Sequence, residues 1–524
     1  MQELSQPALL GVLYEQLTAL QARDQAQAAT NQQEPYVAIP NTGKVLTGVY
    51  EQLRNSAEYT EEHLLLQHAI RRFYARELFL AEQPRTQDIG QELVIELTHA
   101  GYLQRDSVSM ATAEQLSRMA DEAMRRYGQL RQSHVRREDA SEWLLSVLAV
   151  ESDGLLNPNR LGHAVASVAF LHFLRLFPRE QYAPAIPREE YELSLFMAIY
   201  LALLKTDVAT ARTELLRAQP NHADISTKEY IALNRMVDAA AKADLTARFR
   251  RVVIKQGAPL RIVYAMTKDR PDLPALLSSR EHFMDAYSDQ VAREYSGIKR
   301  HIGKGIIKSI VFLFVTKVII GIGIEIPYDI LLHGRIEYLP LVINTLTPPA
   351  YMALLGLGLT APARSSAAEL RRYIENVLFG DAQPQRYTRL YPKRMSPLGT
   401  IVFGTMLMLP LFITIFILNQ LGFNIMQMII FFVFLSTASF LGFRLSGMIR
   451  ELELTAPQTG LFGSLRNFFY LPFIQAGQWL SGKYARLNIV GRILDIAIEL
   501  PLKTLLRLVR QWVRFVNEKR EDIY

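Results

Sequence analysis

Two apolar stretches, Gly399–Asn419 and Ile425–Phe443, contain no Lys, Arg, Asp or Glu and are separated only by Gln420–Asn424. A helix needs about 20 apolar residues to cross the hydrocarbon core of a bilayer. Inside lipid, each backbone N–H and C=O must be satisfied within the segment itself, which leaves a helix as the form open to either stretch. The link is too short for anything but a tight helical hairpin. Gly305–Ile326 and Tyr338–Ala361 are also long and apolar. Four spans are therefore expected, all late in the chain, although hydrophobic residues make up 49% of the whole.

Basic residues orient the spans. Lys299, Arg300, Lys304 and Lys308 crowd the start of the first. Arg364, Arg371, Arg372, Arg386, Arg389, Lys393 and Arg394 follow the second, and Arg444 and Arg450 follow the fourth. The link between the first two spans has only Arg335, and the link between the last two has none. With four crossings all three basic regions fall on one side. Both termini are then expected in the cytoplasm, with a cytoplasmic helical region at 35–298, a membrane region at 299–447 and a basic tail at 448–524.

The first 300 residues read as all-α. Leu9, Leu13, Leu17 and Leu20 share a helical face, and Gln21–Gln33 reads as a flexible tether that completes a segment 1–34. Helix-period stretches then recur at Ala113–Leu130, Ala140–Leu156, Gly162–Phe177, Glu189–Leu204, Thr227–Phe249 and Arg280–Tyr295. Breaks are expected at Gly128, Pro158, Pro178–Pro187, Pro220 and Pro271–Pro274. The start, MQELSQPALLGVLYEQL, lacks the basic region of a secretory signal.

Chemistry leaves little trace. Cysteine is absent, so disulfides and thiolate metal sites are ruled out. Asn41-Thr42-Gly43-Lys44 ends like a phosphate loop, but Ala38 and Val45 replace the glycine and hydroxyl residue the motif needs. His63 and His68 lie five apart and His163 and His172 nine apart, whereas two metal ligands on one helix want a spacing of three or four. No catalytic residue, cofactor or metal site is expected. The formal charge is +7, but acids and bases alternate through residues 1–298, so no nucleic-acid surface is expected.

The irregular features lie in the first two spans. Lys317 sits near the middle of one, where a charge is costly and suggests function by default. Pro348 and Pro349 interrupt the other, and each lacks an N–H, which leaves the carbonyls of Asn344 and Thr345 without helical partners. Those carbonyls, or the Asn344 side chain, are expected to satisfy Lys317. The cluster then reads either as a clamp between helices or as a transport site at a helix break. A re-entrant hairpin is the alternative to two full crossings.

After the spans, Phe468, Phe469, Tyr470, Phe473 and Trp479 suit the headgroup zone. Lys503, Arg507, Arg510 and Arg514 form one helical stripe, opposite Leu505, Val509, Trp512 and Val516. Such a helix fits an anionic leaflet or a docking face on the cytoplasmic helices.

The segment VYEQLRNSAEYTEEHLLLQHAIRRFYARELFL, Val49–Leu80, resembles a stretch found in uncharacterised multi-pass membrane proteins of candidate-phyla bacteria. The resemblance implies a bacterial plasma membrane and carries no site residues or activity. Two functions follow as expectations. One is a membrane-anchored scaffold that recruits a protein partner or self-associates. The other is a small-solute or ion transporter built on Lys317 and the proline break.

Overall fold

A computed structural model describes residues 9–31, 35–40, 62–80, 86–157, 161–220, 224–334, 336–359, 364–380, 389–391, 396–454, 468 and 470–479. These residues are helical with no strand among them, apart from one bridge between Tyr36 and Ser109. They divide into two compact units, one drawn from Met1–Val253 and Thr267–Leu277, the other from Ile254–Met266 and Ser278–Leu487.

The first unit contains α1 (Leu9–Asn31), α2 (Leu65–Tyr74, continued by a π turn at Ala75–Leu80), α3 (Ile89–His99), α4 (Met110–Gln132), α5 (Arg137–Leu156), α6 (Gly162–Leu176), α7 (Arg188–Ala202), α8 (Val208–Arg217), α9 (Thr227–Lys242) and most of α10 (Asp244–Gln256), whose last residues, from Ile254 on, belong to the second. Leu9, Leu13 and Leu17 are buried as their spacing implies. The helix they begin does not stop there: it continues to Asn31, over most of the Gln/Ala-rich stretch expected to be a tether. Ala and Gln are strong helix formers, and low complexity alone does not make a coil.

Several boundaries follow from local chemistry. Ser109 caps α4 by accepting from Thr112 N, Asp207 caps α8 through Thr210 N, and Ser226 and Glu229 form a reciprocal capping box on α9. Gly128 does not break α4, since one glycine costs a helix only about 1 kcal/mol. The expected helix over Thr227–Phe249 instead divides at Ala243, whose backbone is extended.

The core of this unit forms where α2, α3, α4 and α5 meet, around Ile70, Phe73, Leu93, Leu97, Leu116 and Ala149. Gly90 is required there, because a Cβ would lie 1.9 Å from the Ala113 carbonyl oxygen. A second cluster gathers around Trp143, Leu144, Leu130 and Tyr230. Its polar edge is closed by Asp238, which accepts from Trp143 Nε1 at 2.8 Å and pairs with the buried Arg212 guanidinium.

The second unit contains α11 (Ala258–Asp269), α12 (Arg280–Ile320), a π turn at Gly321–Glu325, α13 (Ile326–His333), α14 (Tyr338–Gly358), α15 (Arg364–Phe379), α16 (Pro397–Gln420) and α17 (Ile425–Arg450). Four helices are long and apolar enough to cross a membrane: Arg280–Leu331, Tyr338–Leu357, Pro397–Gln420 and Ile425–Arg450. The first begins well before the apolar residues and runs on past Ile326, so residue 298 falls inside one continuous helix. Its polar first half packs with α15 through Arg280–Glu375 and Arg371–Ser288 contacts, and Tyr373 accepts a hydrogen bond from Gln256 at 3.0 Å.

α12, α14 and α17 pack on one another around Leu313, Met352, Ile430, Phe434 and Ala438. α16 is peripheral, with 11% of its apolar window buried against 50% for α17. Its exposed Ile401, Phe403, Phe412 and Phe416 make a surface suited to lipid. Gly442 of α17 sits at a close contact, where a Cβ would meet Leu355 and Tyr470.

Two expectations are corrected here. The double proline does not break the second span, because α14 is helical from Tyr338 to Gly358 with both prolines inside it. Only two backbone bonds are lost, and packing on α12 and α17 holds the rest. The aromatic cluster is divided as well. Residues 470–479 are helical and lie against mid-α17: Phe473 is buried and stacked on Phe432, and Tyr470 donates to Ser439 O at 3.0 Å. Trp479 remains 66% exposed. Packing on α17 outweighs the headgroup zone for Tyr470 and Phe473.

Candidate functional site

Lys317 is fully buried, and its ammonium pairs with the equally buried carboxylate of Glu325. They are eight residues apart on the same helical run. In an uninterrupted α-helix such residues lie about 80° apart around the axis. The π turn at Gly321–Glu325, marked by Ile326 N–H donating to Gly321 O, takes up one extra residue and returns Glu325 to the face of Lys317. Pro327 has a role in this. It has no N–H, and its ring crowds the carbonyl four residues earlier, which disfavours regular α geometry at Gly323.

The pair is held from two other helices. Asn344 on α14 donates from Nδ2 to Glu325 Oε1 at 3.1 Å and to Gln427 O on α17 at 3.2 Å. The Phe434 ring of α17 lies 5.3 Å from Lys317 Nζ, a distance at which its π face attracts a cation. One turn beyond Glu325, the buried Asp329 accepts from Asn424 Nδ2 at 2.8 Å and from Gln427 Nε2 at 3.0 Å. Asn424 and Gln427 also form the capping box of α17. Each amide thus turns its oxygen to the helix start and its nitrogen to Asp329. The positive end of the α17 dipole adds to this.

Two atoms in this network lack partners. Glu325 Oε2 and Asn344 Oδ1 are buried without a hydrogen bond.

The sequence residues divide accordingly. Lys317 and Asn344 meet, as expected, but through Glu325 and not directly. The expected pairing of Lys317 with freed carbonyls is replaced by an ion pair, because a carboxylate compensates a buried ammonium far better than a neutral dipole does. Thr345 turns away, with Oγ1 donating to Leu341 O in its own helix. Pro348 and Pro349 lie inside α14. Lys503, Arg507, Arg510, Trp512 and Arg514 lie outside the described residues, as does Asn41–Lys44. Glu325, Asp329, Asn424 and Gln427 were missed. Glu325 lay inside the first span, one residue from its end, and ending that span at Ile326 left out Asp329, so the run Lys317, Glu325, Asp329 was not seen as one helix.

In the first unit the notable acids are Asp207 and Asp153. Asp207 is only partly desolvated in effect: burial raises its pKa, but hydrogen bonds from His68, Thr210 and Gln67 outweigh this and bring it to about 2. Asp153 is pushed up to about 7 by burial and by the charge of Asp207. His172, buried on α6, is lowered to about 4 by desolvation and Arg175. His163 Nδ1 lies 3.1 Å from Tyr200 OH and 3.7 Å from Glu214. Among the described residues no group of three potential metal ligands gathers.

No protein-family model, curated protein or solved structure matches the chain.

Proposed function

We propose that the chain is an integral membrane protein that holds its helical first unit at the cytoplasmic face of a bacterial plasma membrane, as an interaction platform. The observation that carries this reading is the closure of the charged network. Lys317, Glu325, Asp329, Asn344 and Gln427 are all at 0% exposure and bridge α12–α13, α14 and α17. Such a network fastens helices together. A transport path would need exposed polar groups, and α14 lacks the proline break on which that alternative rested.

The first unit has a surface that fits a partner. A groove of about 600 Å³ is lined by Phe170, Leu193, Phe196, Leu233 and Met236 together with Glu189, Glu192 and Glu229. A lining of apolar and acidic side chains suits a basic amphipathic helix of a partner protein. Cytoplasmic termini are supported by the distribution of Lys and Arg described above. The C-terminal stripe of Lys503, Arg507, Arg510 and Arg514 opposite Trp512 supports binding to an anionic leaflet.

Affinity capture with the whole protein in nanodiscs, compared with Phe196→Glu, tests the platform. A partner lost in the variant supports it. Solute or ion flux through liposomes containing the protein, abolished by Lys317→Met with folding retained, would overturn it.

A further inference from the structure

We propose that the outward face of α12 is a binding site for an anionic phospholipid, whose phosphate is held by Arg300, Lys304 and Lys308. The inference rests on the membrane placement of α12 and not on the platform reading.

Helical phase is the first support. Ile302 and Leu313 are buried, and Ile306 lies against Gly356 of α14, so these residues mark the packed side of α12. Arg300, Lys304, Lys308, Val311, Val315 and Ile319 follow one another at steps of three or four residues. They therefore share a strip about 100° wide on the opposite side, and all six are exposed. The strip is cationic at its start and apolar from Val311 on, the order of head and chain in a phospholipid. The exposed face of α16, by contrast, has no charged residue and suits lipid of any headgroup. An acidic segment of a partner protein would match the cations but not the apolar half of the strip.

Charge is the second, independent support. No acid occurs between Glu294 and Glu325, and none occurs on α14 or α17, which pack on α12. Leu445 of α17 lies against Gly305, so Arg444 adds positive charge at the same level. Glu369 and Glu453 lie near Tyr295, before the strip begins and on the packed side. Among the described residues no anion pairs with Arg300, Lys304 or Lys308. The counter-charge has to come from outside these helices, and a leaflet supplies it as phosphate. Reach is consistent with this. Arg300 and Lys308 are about 12 Å apart along the axis, more than the headgroup zone of one leaflet at about 5–8 Å. Long stems close the difference, with Lys308 extending toward water and Arg300 toward the bilayer, so the three cations converge on one phosphate layer.

The test is native mass spectrometry of the full chain released from nanodiscs made of equal parts phosphatidylglycerol and phosphatidylcholine. Phosphatidylglycerol is expected to stay bound in preference to phosphatidylcholine. The preference is expected to fall on the order of fivefold in Lys304→Gln, and on the order of 100-fold when Arg300→Gln and Lys308→Gln are added. Gln in place of Lys503, Arg507, Arg510 and Arg514 is expected to leave it unchanged. Lys304→Gln alters one exposed side chain, so the test does not depend on the triple variant folding. Equal retention of the two lipids overturns the proposal. So does a preference that survives the α12 substitutions, or one lost with the tail charges, which assigns it to the tail. A chain that does not enter nanodiscs overturns the membrane reading as well.

Discussion

Lys317 and Glu325 neutralise each other across a π turn of their own helix, and the pair is completed by side chains from two other helices. Removing one partner leaves the other charge buried and alone, at a cost of about 3–5 kcal/mol. Lys317→Met and Glu325→Leu are each expected to destabilise the protein by that order. The double variant is expected to recover most of the loss. A double-mutant cycle of unfolding in mixed micelles measures the coupling, and additive effects would contradict the pairing.

Small residues set the approach of helices to α17, and their tolerance is expected to differ. A Cβ on Gly477 would lie 2.4 Å from Ser436 O, a backbone atom that can move only with its helix. On Gly442 the nearest atom is Leu355 Cδ1 at 2.8 Å, the end of a flexible side chain. Gly477→Ala is therefore expected to cost more than Gly442→Ala, within the ~1–3 kcal/mol typical of overpacking. Melting temperatures of the two variants check the order.

The first unit contains two buried groups whose pH effects oppose. Asp153 has a raised pKa of about 7, so the stability it contributes is present at acid pH and is lost as pH rises from its ordinary value near 3.8 through 7. His172 is lowered to about 4, so its contribution is present above 6.5 and is lost as pH falls through 4. The two slopes offset each other between about pH 4 and 6.5. Asp153→Asn is expected to leave stability that falls with acidification, and His172→Phe stability that falls with alkalinisation. Melting curves across that range check both signs.

Because the chain contains no cysteine, single-cysteine labelling has no background. Ser296→Cys and Gln420→Cys, both at exposed positions, are expected to react with a membrane-impermeant maleimide from opposite sides. Ile474→Cys, at 5% exposure against α17, is expected to be protected from both. Labelling of the first two from one side would contradict the four-crossing arrangement.

What residue order determined by itself was the number and place of the apolar helices and the helical class of what precedes them. Hydropathy over 20 residues and a period of 3.6 are local properties, and the cost of exposing or burying a segment depends mainly on its own composition. Lys317 and Asn344 were also legible, since a charge or an amide in an apolar run stands out against its neighbours. Their arrangement was not. Whether Glu325 faces Lys317 depends on one π turn that shifts helical phase, and Asp329 meets Gln427 across 98 residues of chain. The continuity of α14 through two prolines likewise rests on its neighbours, as does the seating of Phe473 on Phe432. Pairing of buried polar groups is a matter of ångströms and rotation between packed helices, and only the tertiary structure decided it.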